Sequence, residues 1–136
     1  MTDVDSSEVP VQLTDKQWQQ RLSPEAYHIC REKGTEAPFS GLYDQHFAQG
    51  TYVCHCCGLD LFASTSKFNA GCGWPSFDAE VALGQINQHS DYSHGMVRTE
   101  VTCSRCDAHL GHVFDDGPTA TGLRYCINSV ALDFKA

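Results

Sequence analysis

Basic side chains are scarce in this chain. Lys and Arg number 9 against 17 Asp and Glu, for a formal net charge of −8, and no basic cluster occurs. Lys and Arg supply the affinity for a phosphate backbone, so the composition argues against a nucleic-acid partner. Also missing is any apolar run long enough to span a bilayer. The N-terminus carries no charged-then-apolar signal pattern. Together these absences predict a cytoplasmic protein with no membrane contact. Finally, no helical stretch long enough for a crossover separates the β-prone runs, which excludes a parallel sheet.

What is present is enough for one modest core: 136 residues, 41% of them hydrophobic, fit a single domain. Residues 1–11 are polar and acidic, with Asp3, Asp5 and Glu8, and read as a disordered tail. Residues 12–136 contain no internal boundary. Thr14 or Asp15 can cap a short helix through Gln20. Ser23-Pro24-Glu25 starts another, with a hydroxyl cap, proline at the first position and an acid at the positive end; Gly34 is expected to stop it. Beyond Gly41 the runs Thr51–Val53, Leu59–Phe62, Met96–Thr102 and Leu123–Phe134 are β-prone and bounded by turn residues. The expected fold is mainly β, with antiparallel sheets and short N-terminal helices.

The chain holds 8 cysteines, and without a targeting segment these point to metal or redox chemistry rather than structural disulfides. Cys54/Cys57 and Cys103/Cys106 form two C-x-x-C pairs, which together make a closed tetrahedral zinc site. Because the pairs are far apart, a metal there pins two distant loops, and closing so long a loop favours the folded state. Gly58 after the first pair and Asp107 after the second both tolerate the tight, left-handed turn such a loop needs. Buried thiols or a redox dithiol are the competing readings of the pairs. Cys56 offers another register, and His109 another ligand.

Cys30, Cys56, Cys72 and Cys126 are left over. Taken as one strand, residues 123–134 place Arg124, Cys126 and Asn128 on one face. A guanidinium beside a thiol favours the nucleophilic thiolate, and an amide can bond a developing anion. The bland alternative is a strand cysteine packed as a small hydrophobe. His109 and His112 follow the second pair directly and are suited to proton transfer; in a plain strand their rings diverge, and Gly111 offers a turn to converge them. In Gly71-Cys72-Gly73-Trp74-Pro75, two glycines make a mobile loop and Trp74 offers a flat apolar surface or a core ring.

Several ordered blocks together carry a resemblance. Gly34-Thr35-Glu36 before Pro38-Phe39, Lys67-Phe68 with Gly71-Cys72-Gly73-Trp74-Pro75-Ser76-Phe77, Gly95 to Val101, His109 to Phe114, and Arg124 to Ser129 are similar to the B-type methionine sulfoxide reductases, zinc-binding form. The likeness runs from about Leu13 to Phe134. It implies two antiparallel sheets packed together as a β-tent, with one structural Zn2+ held by the four paired cysteines. It further implies reduction of the R epimer of methionine sulfoxide, free or in proteins, as oxidative-stress repair. In that scheme Cys126 is the nucleophile. Trp74 is the surface against the substrate methyl group, and His112 and Asn128, with His109 nearby, are partners of the sulfoxide oxygen. Phe134 completes the apolar wall. Cys72 occupies the common resolving position, Cys30 is a second candidate, and thioredoxin is the expected reductant of a monomer. The competing functions are a non-catalytic zinc-ribbon module that binds a partner protein and a zinc hydrolase with His109 or His112 on an open metal.

Overall fold

A computed structural model describes residues 13–136; the tail expected over residues 1–11 lies outside them. Two helices come first. α1 (Asp15–Arg21) begins at a reciprocal cap: Gln17 N–H donates to the Thr14 hydroxyl, and Thr14 N–H donates to the Gln17 side chain. α2 (Pro24–Arg31) starts where Ser23 accepts from Ala26 N–H at 3.1 Å. It ends earlier than Gly34, and the left-handed residue after it is Lys33, at φ 59°. Trp18, Ala26, Ile29 and Cys30 are the buried side of this pair, and the Arg31 guanidinium lies 4.6 Å over the Trp18 ring. Among the described residues no helix is long and apolar enough to cross a membrane.

Nine strands follow: β1 (Thr51–Cys54), β2 (Asp60–Ala63), β3 (Lys67–Phe68), β4 (Ser76–Phe77), β5 (Ile86–Asp91), β6 (Arg98–Cys103), β7 (His109–Phe114), β8 (Arg124–Ile127) and β9 (Leu132–Lys135). They make a three-stranded sheet, β2-β1-β9, and a six-stranded sheet, β3-β4-β8-β7-β6-β5. Every pairing is antiparallel, as the missing crossovers required. Between the sheets the Phe62 ring of β2 stacks on Phe77 of β4 at 4.3 Å, and Tyr52 of β1 meets Phe77 edge-on at 5.2 Å. Aromatic pairs of this kind add about 0.5–1.5 kcal/mol beyond the area they bury.

One expectation needs correcting. Leu123–Phe134 is not a single strand: after Ile127 the chain takes a 3-10 turn at Ser129–Ala131 and then joins the other sheet as β9. Alternation holds only within β8, where Tyr125 and Ile127 are buried and Arg124 and Cys126 face outward, partly exposed.

β7 holds a second surprise. Val101 pairs with Gly111 and Thr102 with His109, so Leu110 is an extra residue in the strand. The bulge shifts the side-chain alternation by one, and His109 and His112 emerge on the same face with rings 5.6 Å apart. The convergence expected from a turn at Gly111 comes instead from this bulge. Gly111 serves another purpose, because a Cβ there would overlap the Cys126 carbonyl oxygen on β8. Gly111→Ala should therefore push β8 off β7 and cost about 1–3 kcal/mol of stability, read as a lower urea midpoint at an unchanged slope.

Candidate active site and metal centre

The β1–β2 and β6–β7 turns are built alike. In the first, Gly58 N–H donates to Cys54 O at 2.8 Å and Cys54 N–H to Leu59 O at 2.8 Å. In the second, Asp107 N–H donates to Cys103 O at 2.8 Å and Cys103 N–H to Ala108 O at 3.0 Å. Gly58 at φ 83° and Asp107 at φ 65° supply the left-handed residue of each turn, as their identities led us to expect. The turns aim four sulfurs at one point: Cys54, Cys57, Cys103 and Cys106 have ligand atoms all within 4.8 Å of one another. Cys54–Cys106 and Cys57–Cys103 are each 3.6 Å apart. Four sulfurs ~2.3 Å from a central tetrahedral metal lie ~3.8 Å from each other, so this set can hold a metal ion. Cys56 is buried outside the cluster, and His109 points its Nδ1 at Glu100 instead. Arg31 and Arg105 donate to the Cys106 and Cys57 carbonyls, each at 3.0 Å, and so brace one turn against its surroundings and the other.

On the outer face of the six-stranded sheet, His112 and Ser76 are the direct neighbours of Cys126 across β7–β8 and β4–β8. A cleft of about 310 Å³ opens here, lined by Cys72, Trp74, His112, Arg124, Cys126 and Asn128 from the sequence reading. Thr35, Arg98 and Phe114 line it too. Cys72 Sγ lies 3.4 Å from Cys126 Sγ and 3.5 Å from Ser76 Oγ. The glycines flanking Cys72 both have positive φ, 71° and 93°, so they build a defined turn that delivers the thiol.

Three of the expected site residues lie elsewhere. Phe134 belongs to β9 of the other sheet and packs on His46 at 4.5 Å and Tyr52 at 5.0 Å; the chain has changed sheets between it and Cys126. Cys30 is buried in α2 and lines a different cavity with Lys33, Glu100 and His109. His109 is buried as well, and its Nδ1 meets Glu100 Oε2 at 2.7 Å. Burial lowers the His109 pKa against the pull of Glu100, so the neutral ring gives its one N–H to the carboxylate.

The polar groups that do line the cleft are already engaged. His112 Nε2 meets Asp91 Oδ2 at 2.8 Å, and that hydrogen bond holds the Asp91 carboxyl well below the usual carboxylate range. Arg98 shares the same oxygen at 3.4 Å. Asn128 is buried: Oδ1 accepts from Glu36 N–H at 2.9 Å, and Nδ2 donates to the carbonyl of the bulge residue Leu110 at 3.0 Å. Arg124 forks onto Asp116 at 2.9 and 3.1 Å. Asp91 escaped the sequence reading of the site because β5 shows no apolar alternation, with only Ile86 in it buried; Arg98, which opens β6, entered that reading only as part of the Gly95–Val101 block.

The guanidinium does not make Cys126 an anion in this arrangement. Burial, then the neighbouring Cys72, pushes the Cys126 thiol up to about 12, and Arg124 offsets only part of this. For Cys72 burial acts in the same sense, but the Ser76 hydroxyl, the Trp74 backbone and Cys126 together bring it below the ordinary thiol value. Of two sulfurs 3.4 Å apart, Cys72 is thus the one that ionises more readily.

The SelR domain family matches residues 22–136 of the chain. This protein belongs to the SelR, or MsrB, family. The peptide methionine sulfoxide reductase MsrB of Chromohalobacter salexigens is 62% identical over 125 residues, 91% of this chain and 94% of that protein. Those of Acinetobacter baylyi, 58% over 122 residues (90% and 88%), and Pseudomonas putida, 58% over 125 residues (92% and 94%), are similar to it over the same extent. The SelR match takes in both cysteine turns and the whole cleft.

A thiol held low stays anionic to lower pH, whereas one pushed up reacts only as pH rises toward its raised value. Substoichiometric iodoacetamide at neutral pH should label Cys72 of this SelR-domain protein before Cys126, by peptide mass mapping. In Cys72→Ser the neighbour that pushes Cys126 up is gone, and the alkylation midpoint of Cys126 should move to lower pH. An unmoved midpoint would contradict the coupling.

Proposed function

We propose that this protein reduces methionine-(R)-sulfoxide, in polypeptides or free, through a sulfenic acid on Cys126 and a disulfide to Cys72. The observation that carries the reading is the 3.4 Å separation of the two sulfurs inside a cleft walled by Trp74 and His112. The names of the 56–62% identical relatives agree with it.

The steps follow from where each group sits. The sulfoxide methyl group packs on the Trp74 ring. Cys126 gives its proton to Cys72, the nearest acceptor, and the freed thiolate attacks the sulfoxide sulfur. The sulfoxide oxygen takes a proton from His112, which general-acid catalysis requires of so poor a leaving group. The oxygen then passes as hydroxyl from the methionine sulfur to the Cys126 sulfur: the methionine S–O bond and the transient S–S bond break, methionine departs with the electron pair, and Cys126 is left as a sulfenic acid. The Cys72 thiol condenses with it, releasing water and forming the Cys72–Cys126 disulfide. An external dithiol protein, thioredoxin in this reading, returns both sulfurs to the reduced state by exchange. Cys72 is favoured over Cys30 as the resolving thiol because Cys30 lies in another cavity.

The metal in this reading is zinc, held by Cys54, Cys57, Cys103 and Cys106. Bound there it supplies structure only, since four thiolates complete its shell and leave no position for activated water. The full thiolate set thereby disfavours a zinc hydrolase. A partner-binding module without chemistry leaves the paired thiols in the cleft unexplained.

Separated epimers of a methionine sulfoxide peptide, with dithiothreitol as reductant, decide the activity. Turnover is expected with the R epimer and none with the S, and Cys126→Ser should abolish it; survival of turnover in that variant would sink the mechanism. After one turnover without reductant, mass mapping should find Cys72–Cys126, and a Cys30–Cys126 bridge would overturn the choice of resolving thiol. Structural zinc binding is worth on the order of 10 kcal/mol, as large as the roughly 5–15 kcal/mol stability of a domain. Chelation, or Cys57→Ser, should therefore unfold the protein by circular dichroism. Protein that stayed folded but inactive would make the metal catalytic.

A further inference from the structure

Between α2 and β1 the chain runs through residues 32–50 with no strand partner, yet this segment carries part of the cleft. Glu36 ties it to the cleft walls through three hydrogen bonds. Its N–H donates to Asn128 Oδ1 at 2.9 Å, and its carbonyl accepts from Trp74 Nε1–H at 3.0 Å. Its side chain reaches the turn after β8, where Oε1 accepts from Val130 N–H at 3.0 Å. Glu36 is 5% exposed and does not line the cleft itself. The other carboxylate oxygen, Oε2, is buried with no hydrogen-bond partner. A buried polar atom without a partner is costly and rare in folded proteins, so packing alone gives no reason to place a carboxylate here. Two of its bonds fall on one turn, at Asn128 and Val130, and the third falls on Trp74 across the cleft.

We propose that Glu36 is the positioning residue of the substrate cleft: its carboxylate, anchored on Val130, fixes the backbone from which the Trp74 indole and the Asn128 amide are both hung. This rests on the sulfoxide reductase reading, in which Trp74 is the surface for the substrate methyl group. Without the carboxylate, residue 36 keeps one bond to each wall but loses the second point that stops the segment pivoting. The Trp74 ring then shifts relative to the Cys126 sulfur, and a displacement of about 1 Å can cost on the order of 10²-fold in rate.

Three variants test it. Glu36→Ala should lower kcat/KM for an R-sulfoxide peptide on the order of 10²-fold, carried mainly by a higher KM. Glu36→Gln keeps an oxygen to accept from Val130 and should stay close to wild type. Gly41→Ala reaches the carboxylate from another side, because a Cβ there would overlap Glu36 Oε2 and the Ser129 hydroxyl; it should raise KM in the same way. Hydrogen exchange of the Trp74 indole N–H, assigned by comparison with Trp74→Phe, gives a readout apart from activity. Protection should be lost in Glu36→Ala and retained in Glu36→Gln. If wild-type protein reduced no sulfoxide the functional reading would fail, while indole exchange would still report on the clamp. A folded Glu36→Ala with wild-type KM and a protected indole overturns the proposal. So does Glu36→Gln impaired as severely as alanine. Should Glu36→Ala not fold, an unchanged KM in Gly41→Ala does the same.

Discussion

The structure is organised around four cysteine sulfurs that converge on one point, where they could hold a metal ion. The turn that carries Cys54 and Cys57 belongs to the three-stranded sheet, and the turn that carries Cys103 and Cys106 belongs to the six-stranded one. Joining them fixes the two sheets at one end. The chain itself passes between the sheets at two short 3-10 turns, Ser64–Ser66 from β2 to β3 and Ser129–Ala131 from β8 to β9. The cleft is built out from these ties. β7 leaves the second cysteine turn within a few residues and carries the bulge that sets His112 opposite Cys126. The metal turns and the thiol pair are thus successive consequences of one register.

That register also sets the surroundings of Cys126. Cys126 stands on a regular strand, partly covered, and burial together with the neighbouring Cys72 thiol pushes its pKa up. A lone thiolate in the cleft would be open to oxidants and alkylating agents. Here Cys72 ionises more readily than Cys126. In the proposed reaction the same closeness gives the Cys126 proton an acceptor beforehand and puts a resolving sulfur at hand afterwards. Arg124, which the strand alternation does place on the Cys126 face, is largely occupied by its two bonds to Asp116.

The sequence made much of this legible, and its failures have physical causes. The two C-x-x-C pairs, with glycine and aspartate after them, announced paired left-handed turns, because few residue types suit that backbone. Thr14 and Ser23 marked their helices through side-chain oxygens. Alternation located Arg124 and Cys126 correctly, since β8 is a plain strand. It failed over Leu123–Phe134 as a whole, because no residue between Asn128 and Leu132 signals that the chain changes sheets there. It also failed at His109 and His112: a bulge shifts the period by one residue, and nothing in Leu110 or Gly111 distinguishes a bulge from a turn. Asp91 and Glu100 were missed as site groups because their importance lies in pairings with residues distant in sequence, which a local pattern does not record.

The distribution of protons in the cleft narrows how a sulfoxide oxygen can be met. Asn128 spends its carbonyl on Glu36 and an N–H on Leu110, so its first task is to tie β8, the bulge and the unpaired segment together. His109 spends its only N–H on Glu100. The remaining donors, His112 and Arg98, converge on a single oxygen of Asp91, at 2.8 and 3.4 Å. One carboxylate oxygen serving two donors can release one of them and stay paired. In the proposed reaction an incoming oxygen acceptor competes directly with Asp91, and the donor it captures is already charged or proton-bearing. In that proposal Asp91, missed as a site group in the sequence, holds the His112 donor beside Cys126 and keeps it partnered in the resting protein.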